Sequence, residues 1–183
     1  MGRRLSKARR TGNGAHPLTT TLPVLLKAGS DAGFRRFLYD FMTVAERVET
    51  LRAHFGHQVG ITGPQYTLLM AVLQLGDGTG VPPRAVADHL RVTRAFVALE
   101  AGRLVRAGVL AKRANPADGR SNLLSLTPRG RRMLDRLIPE VRAVNDLFFA
   151  GLDASGFAGA RRLMARLLAD SAKALKRVAR SRP

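Results

Sequence analysis

The stretch Leu90–Gly130, LRVTRAFVALEAGRLVRAGVLAKRANPADGRSNLLSLTPRG, decides the fold. Thr93 stands where a helix N-cap is needed. Behind it Val97, Ala101, Leu104 and Val105 recur at helical spacing, which predicts a helix over 93–107 closed by Gly108. Leu110–Ala114 and Leu123–Thr127 read as short strands, and Asn115–Asn122 between them supplies the Pro, Gly and Asn of a hairpin turn. Upstream, Pro83–Leu90 reads as a short helix with Ala85, Val86 and Leu90 inward, followed by a turn at Arg91-Val92. The sum is a helix–turn–helix with Thr93–Ala107 as recognition helix and a wing over 109–127. A helix followed by a basic hairpin can engage DNA in two grooves at once.

Long apolar patterns flank this centre. From Asp31, placed to cap a start, Phe34, Phe37, Leu38, Phe41, Met42, Ala45, Val48, Leu51 and Phe55 fall three and four apart, and Gly56 suits the end. Thr62-Gly63-Pro64 opens the next helix, with Tyr66, Leu69, Met70 and Leu73 as its buried face, and Gly76–Gly80 is a loop. After Pro128, Met133, Leu134, Leu137, Ile138, Val141, Val144, Phe148 and Phe149 line a helix that Pro139 is expected to kink. A last helix is expected over about 155–178, with Phe157, Leu163, Met164, Leu167, Leu168, Leu175 and Val178 inward. Residues 1–29 read as a flexible basic arm, with Leu22–Leu26 a segment that can dock on a partner.

Charge is large and uneven. The chain has 183 residues, 31 Lys and Arg against 13 Asp and Glu, and a net charge of +18. Residues 91–127 hold seven cations against two acids, whereas 31–90 hold five against six. That is a patch, and a polyanion such as nucleic acid is its economical partner. With no cysteine, disulfides and thiolate–zinc sites are excluded. No run of about 18 apolar residues reads as a membrane span, and the N-terminus does not read as a secretory signal. A cytoplasmic location, held to the bacterial nucleoid through DNA, is expected, with no membrane contact. No phosphate-binding Gly-rich loop, nucleophile elbow or clustered carboxylate motif appears. Neither an enzyme, a catalytic residue nor a cofactor is therefore expected. Asp88 and Glu100 are expected in solvated ion pairs with basic neighbours.

The order ITGPQYTLL (61–69), PRAVADHLRVT (83–93) and VRAGVLAKRANPADGRSNLLSLTPRG (105–130) closely resembles the MarR family of bacterial transcriptional regulators. The Asp118-Gly119-Arg120 hairpin followed by Leu126-Thr127-x-x-Gly130 is the most specific part of the resemblance. It implies a mainly α (α+β) fold. In that fold a winged helix–turn–helix domain over 61–127 sits between dimerisation helices at 30–60 and 128–183. The family works as homodimers on double-stranded DNA, so a repressor on a pseudo-palindromic operator is implied.

By the resemblance, Thr93, Arg94, Ala95, Ala98 and Arg103 face the major groove. Lys112, Arg113 and Arg94 can neutralise phosphates, Arg120 enters or borders the minor groove, and Asp118 holds the wing's shape and orients its basic neighbours. This helix departs from the family habit of polar outward residues by offering Ala95, Phe96, Ala98 and Leu99, which suit thymine methyls. A rotated helix with Phe96 and Leu99 in the core is the alternative. Glu100 also occupies a position that is commonly apolar. Many relatives bind small aromatic acids between the dimerisation helices and the DNA-binding lobe. Phe41, Arg52, His57 and Tyr66 are the corresponding candidates, with core packing as the alternative for each. Some relatives sense metal, and His54 and His57, three apart on a helix, would need Glu46, Glu49 or His89 to complete a site; no metal is expected. A non-specific architectural DNA- or RNA-binding protein is the rival reading.

Overall fold

The computed structural model describes residues 16–76, 78–116 and 118–181, the side chains of 118–120 excepted. Their order is a short 3-10 turn (Pro23–Leu25), α1 (Ala32–Gln58), α2 (Gly63–Leu75), α3 (Pro83–Leu90), α4 (Arg94–Arg106), β1 (Leu110–Asn115), β2 (Asp118–Leu126), α5 (Pro128–Phe148) and α6 (Ala154–Arg180). The chain divides into one compact unit through Ser125 and a second from Leu126.

Within the first unit α2 is the hub, touching α1, α3 and α4. Its start is fixed by a reciprocal capping box. The Gln65 backbone N–H donates to Thr62 Oγ1 at 3.3 Å, and the Thr62 N–H donates to Gln65 Oε1 at 3.1 Å. Leu68, Leu69 and Val72 of α2 bury against a core completed by Val86 of α3, Val97 and Leu104 of α4, and Leu110 and Leu124 of the hairpin. Each such side chain contributes roughly 1.5–3 kcal/mol of apolar burial. α1 runs two residues past Gly56, so this glycine does not end it. Gly56 instead lets the α1–α2 turn fold close, because a Cβ there would lie 2.8 Å from the Ile61 and Thr62 backbone. The left-handed turn residue is Gly60.

Residues 16–30 are more structured than expected. Residues 1–15 of the expected arm lie outside the described residues, but 16–30 are not a loose continuation of it. The Thr19 N–H and hydroxyl both donate to Asp31 Oδ2, at 2.6 and 2.7 Å, Arg35 pairs with Oδ1, and Lys27 and Ser30 form an antiparallel bridge. Asp31 stands at the N-cap position but makes no capping bond, because its carboxylate is committed to Thr19 and Arg35.

The α1 face carrying Phe37, Leu38, Phe41, Met42 and Val48 is exposed, so these residues are not core of a single chain. In the second unit α5 starts on a Thr127 cap, its side chain accepting from the Gly130 N–H at 3.0 Å, and continues as one helix through Pro139. Its Met133, Leu134, Leu137 and Val141 are buried. α6 starts on Asp153, which accepts from the Gly156 N–H at 2.6 Å, and buries no residue at all. The seven apolar α6 residues expected inward are exposed. Periodicity marks an apolar face but not the surface that covers it.

Candidate nucleic-acid interface

α4 is set by its two ends. Thr93 Oγ1 accepts the Phe96 N–H at 3.1 Å, and at the far end Gly108 adopts φ +69°. The turn into it is made by Arg91, a non-glycine residue at φ +56°, with the Val92 N–H closing on the Ala87 carbonyl at 3.1 Å. Val97, Glu100, Ala101 and Leu104 consequently face the core. Arg94, Ala95, Ala98 and Leu99 face solvent, Leu99 at 54% exposure, while Phe96 is half-buried. The two residues left open by sequence thus separate, with Leu99 outward and Phe96 on the boundary.

Glu100 is not a solvated ion-pair member. Only 6% exposed, it accepts from Gln65 Nε2 at 3.0 Å through Oε2 and from Arg103 Nη1 at 2.7 Å through Oε1. A buried carboxylate is tolerated only when its oxygens are filled, and these are. Gln65 already uses its oxygen in the α2 capping box, so one amide joins the start of α2 to α4. Arg103 keeps its position on α4 but is held against Glu100 with its side chain about half exposed. Glu100 stands out in the sequence as a departure, whereas Gln65 does not. The signal for Gln65 is Thr62-x-x-Gln65, a capping-box spacing at the start of α2.

The strands of the wing are longer than expected, within the expected span of 109–127. β2 begins at Asp118 instead of Leu123, and Asn115 Nδ2 donates to Ser121 Oγ across the hairpin at 3.0 Å. The hairpin is backed by an antiparallel bridge between Val81 and Leu124, with N–H···O distances of 2.7 and 2.8 Å. Lys112 is exposed on β1, which packs on α4. Arg113 reaches back to the Thr79 carbonyl, so it ties the wing base to the Gly76–Gly80 loop. The backbone of Asp118 and Arg120 lies in β2, but their side chains lie outside the described residues.

Among the ligand candidates Arg52 and Tyr66 lie close together, whereas Phe41 stands apart. Arg52 Nε donates to Thr67 Oγ1 at 2.6 Å, and the same guanidinium pairs with Glu49. Tyr66 is buried with its ring 5.5 Å from Phe55, and burial pushes its hydroxyl pKa above the ordinary value of 10.0. His57 is exposed. Phe41 lies eleven residues before Arg52 on α1, roughly 16 Å along the helix, too far to share one small aromatic acid within a chain. Among the described residues no three His, Asp or Glu side chains converge as a metal site, so His54 and His57 gain no third ligand from Glu46, Glu49 or His89.

Residues 59–121 match the sequence profile of the MarR family. The chain is similar to the PcaV transcriptional regulator from Streptomyces coelicolor, solved in complex with its natural ligand. The identity is 32% and the TM-score 0.56, over 70% of this chain and 91% of that one. The fold is also that of wild-type MarR from E. coli (21% identity, TM-score 0.53, 70% and 93% covered). It is likewise that of BpsR from Bordetella bronchiseptica (22%, TM-score 0.58, 70% and 90% covered), whose DNA binding is regulated by 6-hydroxynicotinic acid. No curated protein sequence gives a match. With a helix–turn–helix and wing in the described geometry, a profile match across them and a 32% identical relative over most of its length, this chain belongs to the MarR family of DNA-binding transcriptional regulators.

Proposed function

We propose that the chain acts as a homodimeric repressor on a pseudo-palindromic operator, each α4 lying in a major groove and each wing beside the adjacent minor groove. The observation that carries this reading is the division of α4. Val97, Glu100, Ala101 and Leu104 hold it to the core, while Arg94, Ala95, Ala98 and Leu99 stand in solvent beside the basic hairpin. Arg94 and Lys112 supply phosphate contacts, Ala95, Ala98 and Leu99 supply thymine-methyl contacts, and Thr93 sits at the groove-entering end. Arg103, tied to Glu100, presents its remaining N–H donors at the third turn. Arg120 and Asp118 are assigned to the wing tip. Two α4 helices related by a two-fold axis read half-sites about one helical turn apart.

The second copy is assigned to the exposed stripes of α1 and α6, which place large apolar side chains in water along two long helices. On this reading the dimerisation segments are 30–60 and 128–183. Release by a small ligand is supported by the ligand-bound S. coelicolor relative, and an aromatic acid as that ligand by BpsR, whose DNA binding 6-hydroxynicotinic acid regulates. In this chain Arg52 is the carboxylate partner and Tyr66 the aromatic wall, with Glu49 competing for the guanidinium.

The test uses a duplex selected from a random pool and a scrambled duplex, titrated at two salt concentrations. Tighter binding of the selected duplex at both is expected, and equal affinity for the two would favour a non-specific architectural role. Arg120→Ala is expected to weaken binding and to make the slope of log affinity against log salt shallower by about 0.9 for each phosphate it leaves unneutralised. Unchanged affinity and slope would remove the wing from the interface.

A further inference from the structure

α6 carries a second ordered pattern besides its apolar stripe. At about 100° per residue, Arg162, Arg166, Lys173, Lys176, Arg177 and Arg180 fall on the side of the helix opposite Phe157, Met164, Leu168 and Leu175. All six are exposed, and the seventh basic residue of the helix, Arg161, falls on the apolar side. The six form a ridge roughly 27 Å long from Arg162 to Arg180. At its C-terminal end Lys173, Lys176, Arg177, Arg180 and Ser181 line a shallow recess of about 360 Å³. The helix has one acidic residue, Asp170, and Lys173 takes it at 2.8 Å.

Two ordinary explanations fall short. Cations in the last turn are favoured by the helix dipole, which accounts for Arg177 and Arg180 but not for Arg162 and Arg166 in the first half. Solubility alone would intersperse acids along the exposed face, since like charges four apart cost an isolated helix about 0.2–0.5 kcal/mol each. A helix side holding six cations and a single acid, Asp170, is what a polyanion of regular spacing repays. Duplex DNA presents a charge every ~1.7 Å of axis, so a ridge of this length spans about eight base pairs.

We propose that this basic face of α6 is a second duplex-binding surface, taking DNA phosphates additional to those held by α4 and the wing. The proposal rests on the dimer reading in one respect. If a second copy covers the apolar stripe, the ridge on the opposite side stays open to solvent, and each dimer carries two ridges. The interaction is electrostatic and sequence-independent, so it adds affinity and salt dependence without changing the preferred operator.

The experiment compares the wild type with R162Q/R166Q/R177Q/R180Q and with the charge-preserving R162K/R166K/R177K/R180K. Each is titrated against an operator-only duplex and against the operator extended by ten base pairs on both sides. A third arm asks whether operator-bound protein captures a second, labelled duplex. Wild type and the lysine variant are expected to gain either on the extended duplex or in capture, with the salt slope steeper by two or more than in the glutamine variant. Both outcomes support the ridge, and they tell one duplex from two. All three proteins are expected to bind the operator-only duplex alike; loss of selective binding there in the wild type would sink the operator reading instead. If the glutamine variant matches the wild type on the extended duplex and in capture, the ridge does not bind DNA. Loss confined to binding of phosphatidylglycerol vesicles would also overturn the proposal.

Discussion

α2 and α6 solve opposite problems with similar residues. α2, 13 residues long, buries seven of them and meets neighbours on every side. α6, twice that length, buries none. A helix that is apolar all round is enclosed by its own chain, whereas a long helix with one apolar stripe and one basic ridge is only half satisfied by it. The difference separates a core this chain completes from surfaces it offers. Leucines in the two helices should therefore fail in different ways. Leu68→Ala is expected to cost about 2–5 kcal/mol in urea unfolding, because a fully buried side chain leaves a cavity. Leu163→Asp with Leu167→Asp is expected to leave the winged-helix transition nearly unmoved while halving the mass seen by light scattering. A dimer that survives both aspartates would break the comparison, and so would a core that unfolds with them.

The second contrast lies inside α4, between Glu100 and Leu99, adjacent in sequence and opposite in environment. Glu100→Ala strips the partner from buried Gln65 Nε2 and is expected to cost about 1–3 kcal/mol of stability. Glu100→Gln keeps an acceptor for Gln65 but gives up the charge that holds Arg103, so most of the stability should return while Arg103 is released. Leu99→Ala should change stability by no more than about 0.5 kcal/mol. Its effect is expected in DNA affinity, since Leu99 faces solvent. Thermal unfolding and duplex titration of the three variants check the division. A Leu99→Ala loss of stability as large as that of Glu100→Ala would mean that α4 is rotated from the orientation described.

What the sequence made legible was local. Thr62, Thr93, Thr127 and Asp153 precede four helices, and the side chain of each accepts from the N–H three residues on. Such caps need only a few neighbouring residues, so Thr93 is readable from its spacing, yet Asp31, placed to cap α1, makes no capping bond, and Asp153 is a cap that the reading of α6 does not include. The helix–turn–helix and the hairpin were readable for the same reason, although β2 starts five residues before the apolar run that announced it. Illegible features join distant residues. Gln65 and Glu100 are 35 apart, and Arg113 and Thr79 are 34 apart. Neither pair has a periodicity to betray it. The apolar stripes of α1 and α6 were legible as stripes, and the resemblance implies a second copy to cover them, but periodicity alone is the same pattern whether the cover is the same chain or another.

A third kind of region, held by neither core nor partner face, is the segment joining Thr19 to Asp31. Its 3-10 turn buries no residue, and Leu22 and Val24 are exposed, so apolar burial contributes little to its order. What fixes it is the carboxylate of Asp31, only 1% exposed. The Thr19 backbone N–H, the Thr19 hydroxyl and Arg35 all favour the ionised form, and together they hold its pKa below the usual 3.8. A carboxyl depressed on folding adds stability at pH values above 3.8, and that stability is lost as pH falls through the lower folded value. The segment should therefore release in acid before the α2 core does. Proteolysis at Lys27, followed from pH 6 down to pH 2 with an acid-active endoprotease for the lowest points, is expected to accelerate only below about pH 4. Asp31→Asn should abolish that acid dependence by making the segment labile at every pH, with the urea midpoint of the core little changed. If Asp31→Asn instead lowers that midpoint as much as Leu68→Ala does, the segment belongs to the core, and the line between completed and offered surfaces must be drawn further toward the N-terminus.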